Sequence, residues 1–326
     1  MDQEGIQLDV CVLGRIGYDL YAEERHRPLA EVEHFSRHLG GSSANIAVGL
    51  VRLGLRVGLI SAVGKDALAN YLLGFLAAEG VEAQFVRLVE GYNTSLCLTE
   101  VSPPESFPQV FYRRDPADSQ VVIGPAELDY LRRARMFVTN GTSLSAPPAR
   151  ESTWQALKAA HEAGLRTVLD IDYRASSWSS SGQAGEAARA VLPWVRVVLG
   201  NQDELFLLTG EREAGLQARA VLAKGADLVV CKLGKDGVEA HTRDRSCFAA
   251  PIPTPVVSAI GAGDGFAAGF LYALDRGWTL EECLRYGNAA AAIVVSRVSC
   301  SDAMPRREEL AELLGSAAPS VSGPSA

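Results

Sequence analysis

The sequence predicts an α/β domain with a mostly parallel central sheet and a small β lid, and three observations support this fold class. Short apolar strand patterns alternate with amphipathic helical patterns along most of the chain, which is typical of parallel strands covered by helices. Two short strand patterns with a turn-rich connector interrupt the alternation between Thr94 and Arg114. A length of 326 residues also suits one large domain with a small appendage.

The alternation begins at the amino end of the chain. Residues 8–14 are an apolar run closed by glycine, which indicates a buried strand. Three further patterns follow in order: a helix over residues 45–53, a strand over residues 57–63 and a helix over residues 67–79. Each helical pattern ends before a glycine, the residue that most easily adopts the left-handed conformation found after a helix.

The interruption predicts the lid. Residues 96–101 and 110–112 have strand character, and the connector between them is rich in proline and serine. An antiparallel pair inside a parallel pattern indicates a flap, with the stretch 18–37 as its partner. We therefore expect a lid formed by about residues 16–40 and 93–116.

Alternation resumes after the lid and continues nearly to the carboxyl end. The predicted strands are residues 136–139, 167–171, 195–199, 228–231 and 237–241. The predicted helices are residues 152–163, 264–274, 280–292 and 307–314. Residues 315–326 are mainly Ser, Pro, Gly and Ala, a composition that cannot pack a core, so a disordered tail is expected.

Composition excludes several classes of protein. Thirty-one basic against 39 acidic residues give a net charge of -8, which disfavours binding to nucleic acid or to an anionic membrane. The first ten residues lack the basic start and apolar stretch of a signal peptide, and no apolar run approaches the length of a spanning helix. The six cysteines are scattered without a Cys-x-x-Cys pair. We expect a soluble, cytoplasmic protein that acts on a small molecule.

The most informative segment is Gly261-Ala262-Gly263-Asp264, which precedes an apolar-periodic helix. Free backbone N–H groups at a helix amino end form an anion site. A carboxylate beside such a site suits a base that removes a hydroxyl proton while the amides hold a transferring phosphoryl group. A capping role for Asp264 is the alternative, and the residue pattern alone does not decide between them. The spacing fits neither a P-loop nor a Rossmann fingerprint.

Several motifs in the correct order resemble the PfkB (ribokinase-like) sugar kinases. The segments 40–45 and 260–264 are similar to the two signatures of that family, and residues 201–204 match its Asn-x-x-Glu motif. The segment 232–237 resembles its glycine-bearing ATP loop. The resemblance covers roughly residues 8–314. It implies a ribokinase-like three-layer α/β/α kinase domain over residues 1–314, and ATP-dependent phosphorylation of a hydroxyl.

The same resemblance implies roles for individual residues. Asp264 would be the catalytic base, with the amides of Gly261, Ala262 and Gly263 stabilising the phosphoryl group. The sugar-binding residues would include Asp19, Gly40, Gly41 and Asn45. The ATP-binding residues would be Asn201, Glu204, Lys232, Gly234, Gly237 and Asn288, with Glu204 holding Mg²⁺ through water. Three of these have plainer alternatives, because Asp19 could cap a turn, Asn45 could cap a helix and Asn288 could have no role.

A finer resemblance is to the subgroup of 5-dehydro-2-deoxygluconokinases of myo-inositol catabolism. It rests on the segments 14–21, 107–118 and 170–174. It implies phosphorylation of the C6 hydroxyl of a sugar acid whose carboxylate is bound by Arg113 and Arg174. Two arginines at loop or strand ends suit one carboxylate, although without the resemblance they would be taken as surface or ion-pair residues.

Other functions stay open at this point. Within the family, 2-keto-3-deoxygluconate kinases and kinases of the ribokinase or fructokinase type are alternatives, and a catalytically silent sugar-binding regulator is an alternative of a different class. Many relatives carry Asp-Thr-Thr or similar where this chain has Ser258, Ala259 and Ile260, so potassium dependence is not expected. By analogy with the family, a homodimer through the lid is plausible.

Overall fold

The computed structural model describes residues 8–104 and 106–316. The strands are β1 Val10–Leu13, β2 Gly17–Ala22, β3 Phe35–Gly40, β4 Val57–Gly64, β5 Glu82–Val89, β6 Leu96–Thr99, β7 Gln109–Tyr112, β8 Met136–Asn140, β9 Arg166–Asp170, β10 Val197–Asn201, β11 Leu228–Lys232, β12 Val238–His241 and β13 Ser246–Ala249. The helices are α1 Ser42–Arg52, α2 Ala67–Glu79, α3 Pro125–Leu131, α4 Ala149–Glu162, α5 Ser181–Val191, α6 Gln202–Thr209, α7 Ala214–Leu222, α8 Ala262–Asp275, α9 Leu280–Val295 and α10 Arg307–Ser316. None of the helices in these ranges combines the length and apolar character needed to cross a membrane.

Nine strands form the main sheet in the order β13-β12-β11-β10-β9-β8-β1-β4-β5. All neighbouring pairs are parallel except the β11–β12 and β12–β13 pairs. The strand order reverses at β1, which pairs with β4 on one side and β8 on the other. In open α/β sheets, ligands bind beyond the carboxyl ends of the strands at such a reversal. The topology therefore directs attention to the residues that follow β1 and β8.

Both faces of the main sheet are buried, which produces three layers. In β1, Val10 and Val12 belong to one apolar cluster, and Cys11 and Leu13 belong to another. The first cluster contains side chains of α1, α2, α8, α9 and α10. The second contains side chains of α3 to α7. This arrangement confirms the predicted α/β/α fold, because alternate residues of a strand point to opposite faces.

The lid is a separate four-stranded sheet in the order β3-β2-β6-β7. Its β6 and β7 pair antiparallel, with Leu96 opposite Tyr112, as the interrupted alternation predicts. The β2 strand lies parallel to β6 and antiparallel to β3. The chain passes from β1 of the main sheet to β2 of the lid through Gly14, Arg15 and Ile16. This short crossing places the lid beside the point where the strand order reverses.

Several boundaries differ from the sequence prediction. Helix α1 begins at Ser42 and not at residue 45, because the backbone of Gly41 has a φ of 93° and separates the helix from β3. Strand β9 ends at Asp170, so Arg174 lies beyond it. Helix α10 continues past residue 314 to Ser316, and the rest of the expected tail, residues 317–326, lies outside the described residues. The edge strand β5 lacks an apolar run because it is exposed at alternate positions.

Candidate active site

The proposed base Asp264 lies in the first turn of α8, where the helix meets α1. Gly261 occupies the N-cap position with a φ of 83°, and a Cβ there would lie 2.8 Å from the Cys300 Sγ, so only glycine fits. The cap is therefore Gly261, and the capping interpretation of Asp264 is wrong. Asp264 is only 9% exposed, and its Oδ2 accepts a hydrogen bond of 2.8 Å from the Asn45 Nδ2. Burial, assisted by the charge of Asp172, raises the pKa of Asp264.

Asn45 is placed by the two glycines that precede α1. It lies within the first turn of the helix and donates to Asp264, so its predicted N-cap role is wrong. A Cβ on Gly41 would lie 2.6 Å from the Arg15 carbonyl oxygen, and one on Gly40 would overlap the Asp19 carboxyl. Both glycines therefore allow close approach. They bring the β1–β2 crossing and Asp19 against the start of α1.

Asp19 projects from β2 of the lid toward this region. It is buried, and burial raises its pKa to about 6, although the positive charge of Arg15 opposes the rise. The negative charge of Asp264 acts in the same direction as burial. Asp19 lies within a strand that pairs on both sides, so the turn-cap alternative is wrong. The structure thus brings Asp19, Asn45 and Asp264 together.

The two predicted arginines are not equally available for a ligand. Arg113, just after β7, forms an ion pair with Asp118. Its Nε donates to the Ser95 Oγ at 3.2 Å, and its Nη1 donates to the Ser177 Oγ at 3.3 Å. Burial lowers the pKa of Arg113, against the opposing effect of Asp118. Most of its hydrogen-bonding capacity is therefore already used within the protein.

Arg174 is held differently, through Asp172. Its Nη2 lies 3.1 Å from the Asp172 Oδ1, and this carboxylate raises the pKa of Arg174. Asp172 has a φ of 33° and also accepts from Asn140 and Thr142, at 3.2 Å each. The residues that fix Arg174 thus come from the ends of β8 and β9. The sequence did not predict these roles, although Asp172 lies within the segment 170–174 that carries the finer resemblance.

Arg15 is a third arginine of this region, and the sequence analysis did not select it. It lies two residues after the end of β1, is 8% exposed, and approaches the Asp172 Oδ2 with its Nη2 at 3.7 Å. Its position after the strand at which the order reverses was a usable signal, because such residues line the ligand crevice.

Lys232 ends β11 beside the amino end of α8. Its Nζ donates to both oxygens of Asp170, at 3.1 and 3.3 Å. A Cβ on Gly263 would lie 3.6 Å from this ammonium group. Burial disfavours the charge of Lys232, but Asp170 and Glu204 outweigh burial and raise its pKa. The lysine therefore adds a fixed positive charge beside the amides of residues 261–263.

The Asn-x-x-Glu motif forms a capping box at the start of α6. The Glu204 N–H donates to the Asn201 Oδ1, and the Asn201 N–H donates to the Glu204 Oε2, at 2.8 Å each. The Glu204 Oε1 accepts from the Tyr173 N–H at 3.1 Å. Each carboxylate oxygen keeps a second lone pair that could accept from a metal-bound water.

These residues fit Mg²⁺ held through water. Within residues 8–104 and 106–316, no three or more His, Cys, Asp or Glu side chains are grouped to hold a metal. Magnesium commonly retains several waters and binds through substrate phosphates with few protein ligands. Glu204 is thus suited to ordering the water shell of the ion.

The predicted nucleotide loop and Asn288 meet at the segment after β13. Gly234 and Gly237 have φ of 61° and 103°, and a Cβ on Gly237 would lie 2.5 Å from the Ala249 carbonyl oxygen. The Asn288 Nδ2 donates to the same oxygen at 3.3 Å and to that of Ala250 at 2.8 Å. Asn288 therefore has a role in fixing this segment, and the alternative without a role is wrong.

Comparison with known proteins places this geometry in a family. Residues 7–307 match the model of the pfkB family of carbohydrate kinases. The chain is 36% identical over 318 residues to a 5-dehydro-2-deoxygluconokinase of Shouchella clausii, covering 96% of this chain and 97% of that protein. A PfkB protein from a Polaromonas species has a TM-score of 0.82 and 29% identity, covering 93% and 99% of the two chains.

A second solved structure is similar over the same extent. The aminoimidazole riboside kinase of Salmonella enterica, complexed with aminoimidazole riboside and an ATP analogue, has a TM-score of 0.80 and 25% identity. The alignment covers 94% of this chain and 99% of that one. The chain therefore belongs to the pfkB family of carbohydrate kinases.

Proposed function

We propose that this kinase transfers the γ-phosphoryl group of ATP to the C6 hydroxyl of 5-dehydro-2-deoxygluconate. The relatives that share 32–36% identity over nearly the whole chain carry that activity in their names. The observation that carries the chemistry is the buried Asp264 carboxylate, held by Asn45 beside the backbone amides of a helix amino end. The arginines beside this site support an acidic substrate.

Asp264 is the base of the proposed reaction. Its carboxylate accepts the proton of the substrate hydroxyl, while the hydroxyl oxygen forms a bond to the γ-phosphorus. The bond from that phosphorus to the β,γ-bridging oxygen breaks, and its electrons leave with ADP. The raised pKa of Asp264 suits this role, because a base is most effective when its pKa approaches the working pH. Asn45 fixes the orientation of the carboxylate.

The amides of residues 261–263 and the ammonium group of Lys232 stabilise the phosphoryl group. Charge on the transferring group spreads over its non-bridging oxygens, so fixed N–H dipoles and a nearby cation lower the barrier. Glu204 would order Mg²⁺ through water, and the bound ion supplies charge neutralisation of the ATP phosphates. The region where Gly237 and Asn288 approach Ala249 would contact the nucleotide. Gly234 would shape the loop beside it, and Asn201 would cap the neighbouring helix.

The lid holds the sugar in this proposal. Asp19 accepts hydrogen bonds from sugar hydroxyls, and the absence of side chains at Gly40 and Gly41 leaves the carboxylate against α1. Arg113 and Arg174 lie on the carboxylate side of the substrate. A 2-keto-3-deoxygluconate would meet the same arginines, so that sugar acid is the second candidate.

We also propose a cytoplasmic homodimer. All six cysteines are free thiols, which suits a reducing compartment that supplies ATP. Edge strand β7 of the lid exposes Val110 and Tyr112, at 45% and 63%, and an exposed apolar edge strand is readily covered by a second copy. The test is the molecular mass by sedimentation of the protein and of its Tyr112→Asp variant. We expect a dimer for the protein and a monomer for the variant, because the new aspartate places a charge on the edge strand.

The experiment is ADP release with four substrates: the two sugar acids, fructose and ribose. We expect the highest kcat/KM with 5-dehydro-2-deoxygluconate, and ADP release at least about 100-fold slower from the Asp264→Asn variant with each of them. Higher kcat/KM with fructose or ribose would contradict the sugar-acid proposal. ADP release without a phosphorylated sugar would contradict the transfer itself.

A further inference from the structure

A buried arginine whose side chain makes no hydrogen bonds lies beside the proposed sugar site. Arg15 is 8% exposed, and its guanidinium makes no hydrogen bond with any residue in the described ranges. Its Nε is buried without a partner. The nearest charged atom, the Asp172 Oδ2, is 3.7 Å from its Nη2, which is beyond hydrogen-bond distance.

This state is unusual for an arginine. A guanidinium has five N–H donors in a planar fork, and buried polar groups are nearly always hydrogen-bonded. Asp172 supplies few of the missing acceptors, because its oxygens already face Arg174, Asn140 and Thr142 and its Oδ2 lies 3.7 Å from the Arg15 Nη2. Arg15 is therefore ready to bind an acceptor that enters from outside the protein.

Arg113 is in the opposite state. It faces Asp118, Ser95 and Ser177 with all three of its nitrogen atoms. To bind a substrate carboxylate it would first have to give up contacts within the protein. The Arg113 side chain is thus already hydrogen-bonded within the protein, whereas that of Arg15 is not.

Both arginines line one cavity of about 170 Å³. Its other polar walls include the hydroxyl side chains of Thr142, Ser143 and Ser177, from the turn after β8 and the turn after Arg174, and two carboxyl groups, that of Asp115 and that of Asp118, which is paired with Arg113. The cavity lies beyond the carboxyl ends of β1 and β8, where the strand order reverses and ligands are expected. Its volume accommodates a carboxylate and the adjoining hydroxylated carbons, and the hydroxyl side chains suit such a group.

We propose that Arg15 binds the carboxylate of the substrate and is the residue through which this kinase selects sugar acids over neutral sugars. The inference rests on the proposed sugar-acid function. The planar fork of Arg15 matches the two oxygens of a carboxylate, which would provide the missing acceptors. Arg113 then forms the cavity wall and orders the lid, and Arg174 keeps Asp172 in place.

The test is the Arg15→Gln variant, with Arg243→Gln as the control because Arg243 is exposed at the turn between β12 and β13. KM and kcat are measured with 5-dehydro-2-deoxygluconate, 2-keto-3-deoxygluconate and fructose. We expect Arg15→Gln to raise KM for the acids at least 10-fold and to leave fructose within about twofold. We expect no such change in the control.

Thermal unfolding separates ligand binding from a structural role. Arg15→Gln should change the midpoint of the free protein little, because the lost group has no hydrogen bonds and only a 3.7 Å ion pair with Asp172, and it should abolish the rise in midpoint that sugar acid gives the wild type. An equal rise in KM for acid and neutral sugars, or an unchanged KM for acids, would overturn the inference while the sugar-acid function stands.

If Arg15→Gln does not fold, the Arg15→Lys variant tests the same inference. It keeps the charge and loses the fork, so we expect KM for the acids to rise several-fold without a change for fructose; a wild-type KM would overturn the inference. If the wild type phosphorylates fructose and neither acid, the proposed function fails, and the inference fails with it.

Discussion

The buried carboxyl of Asp19 should make this protein less stable as the pH rises from about 4 to about 6. Its pKa is raised from the usual 3.8 to about 6 in the folded protein, chiefly by burial. Between these values the unfolded chain loses the proton and the folded protein keeps it, so deprotonation favours unfolding. Each unit of pKa difference corresponds to about 1.4 kcal/mol, which gives a total of about 3 kcal/mol.

The Asp19→Asn variant removes this dependence. Urea unfolding of wild type and variant at pH 4.5 and pH 7.5 measures it, since about 2 kcal/mol of the total falls in that interval. From pH 4.5 to pH 7.5, we expect the free energy of unfolding of the variant to increase by about 2 kcal/mol relative to that of the wild type. Carboxyl groups that do not interact with Asp19 titrate alike in both proteins and cancel in the comparison. Asp244→Asn, at an exposed turn position, should show no relative gain.

Parallel pH curves for the wild type and Asp19→Asn would refute the reasoning. They would mean that the positive charge of Arg15 fully offsets the effect of burial on the pKa of Asp19. The same variant should lose sugar binding, because an amide is a weaker acceptor for hydroxyls than a carboxylate. Greater stability with weaker binding is the expected pair of results, since buried charges at functional sites commonly reduce stability.

Three further predictions concern the same site. Asp264→Asn should lower kcat at least 100-fold, the lower end of general-base effects, with the Kd for ATP nearly unchanged; a kcat above about a tenth of wild type would contradict the base assignment. Gly40→Ala should raise KM for the sugar because its methyl group would displace the Asp19 carboxyl, and a wild-type KM would show that the lid adjusts. Potassium and sodium buffers of equal ionic strength should give the same kcat, and saturable activation by potassium would contradict this.

The sequence alone determined the fold class and the main chemical motif. Parallel strands covered by helices follow from local periodicity, because a buried strand and an amphipathic helix differ in the spacing of apolar residues. The Gly261–Asp264 segment could be recognised as an anion site at a helix start, because an apolar-periodic helical pattern follows it. Edge strands such as β3 and β5 were less visible, since their partial exposure weakens the apolar pattern.

Only the tertiary structure decided which polar side chains are hydrogen-bonded within the protein and which remain available to a ligand. Arg113 and Arg15 look alike in sequence, yet the Arg113 guanidinium is bonded to Asp118 and the Arg15 guanidinium has no hydrogen-bond partner among the described residues. Asn45 has the sequence pattern of a cap and instead holds Asp264 across two helices. These partners are far apart along the chain and become neighbours only when β1, β8 and β9 end at one edge of the sheet. Which donor stays free depends on that packing, and local periodicity carries no information about it.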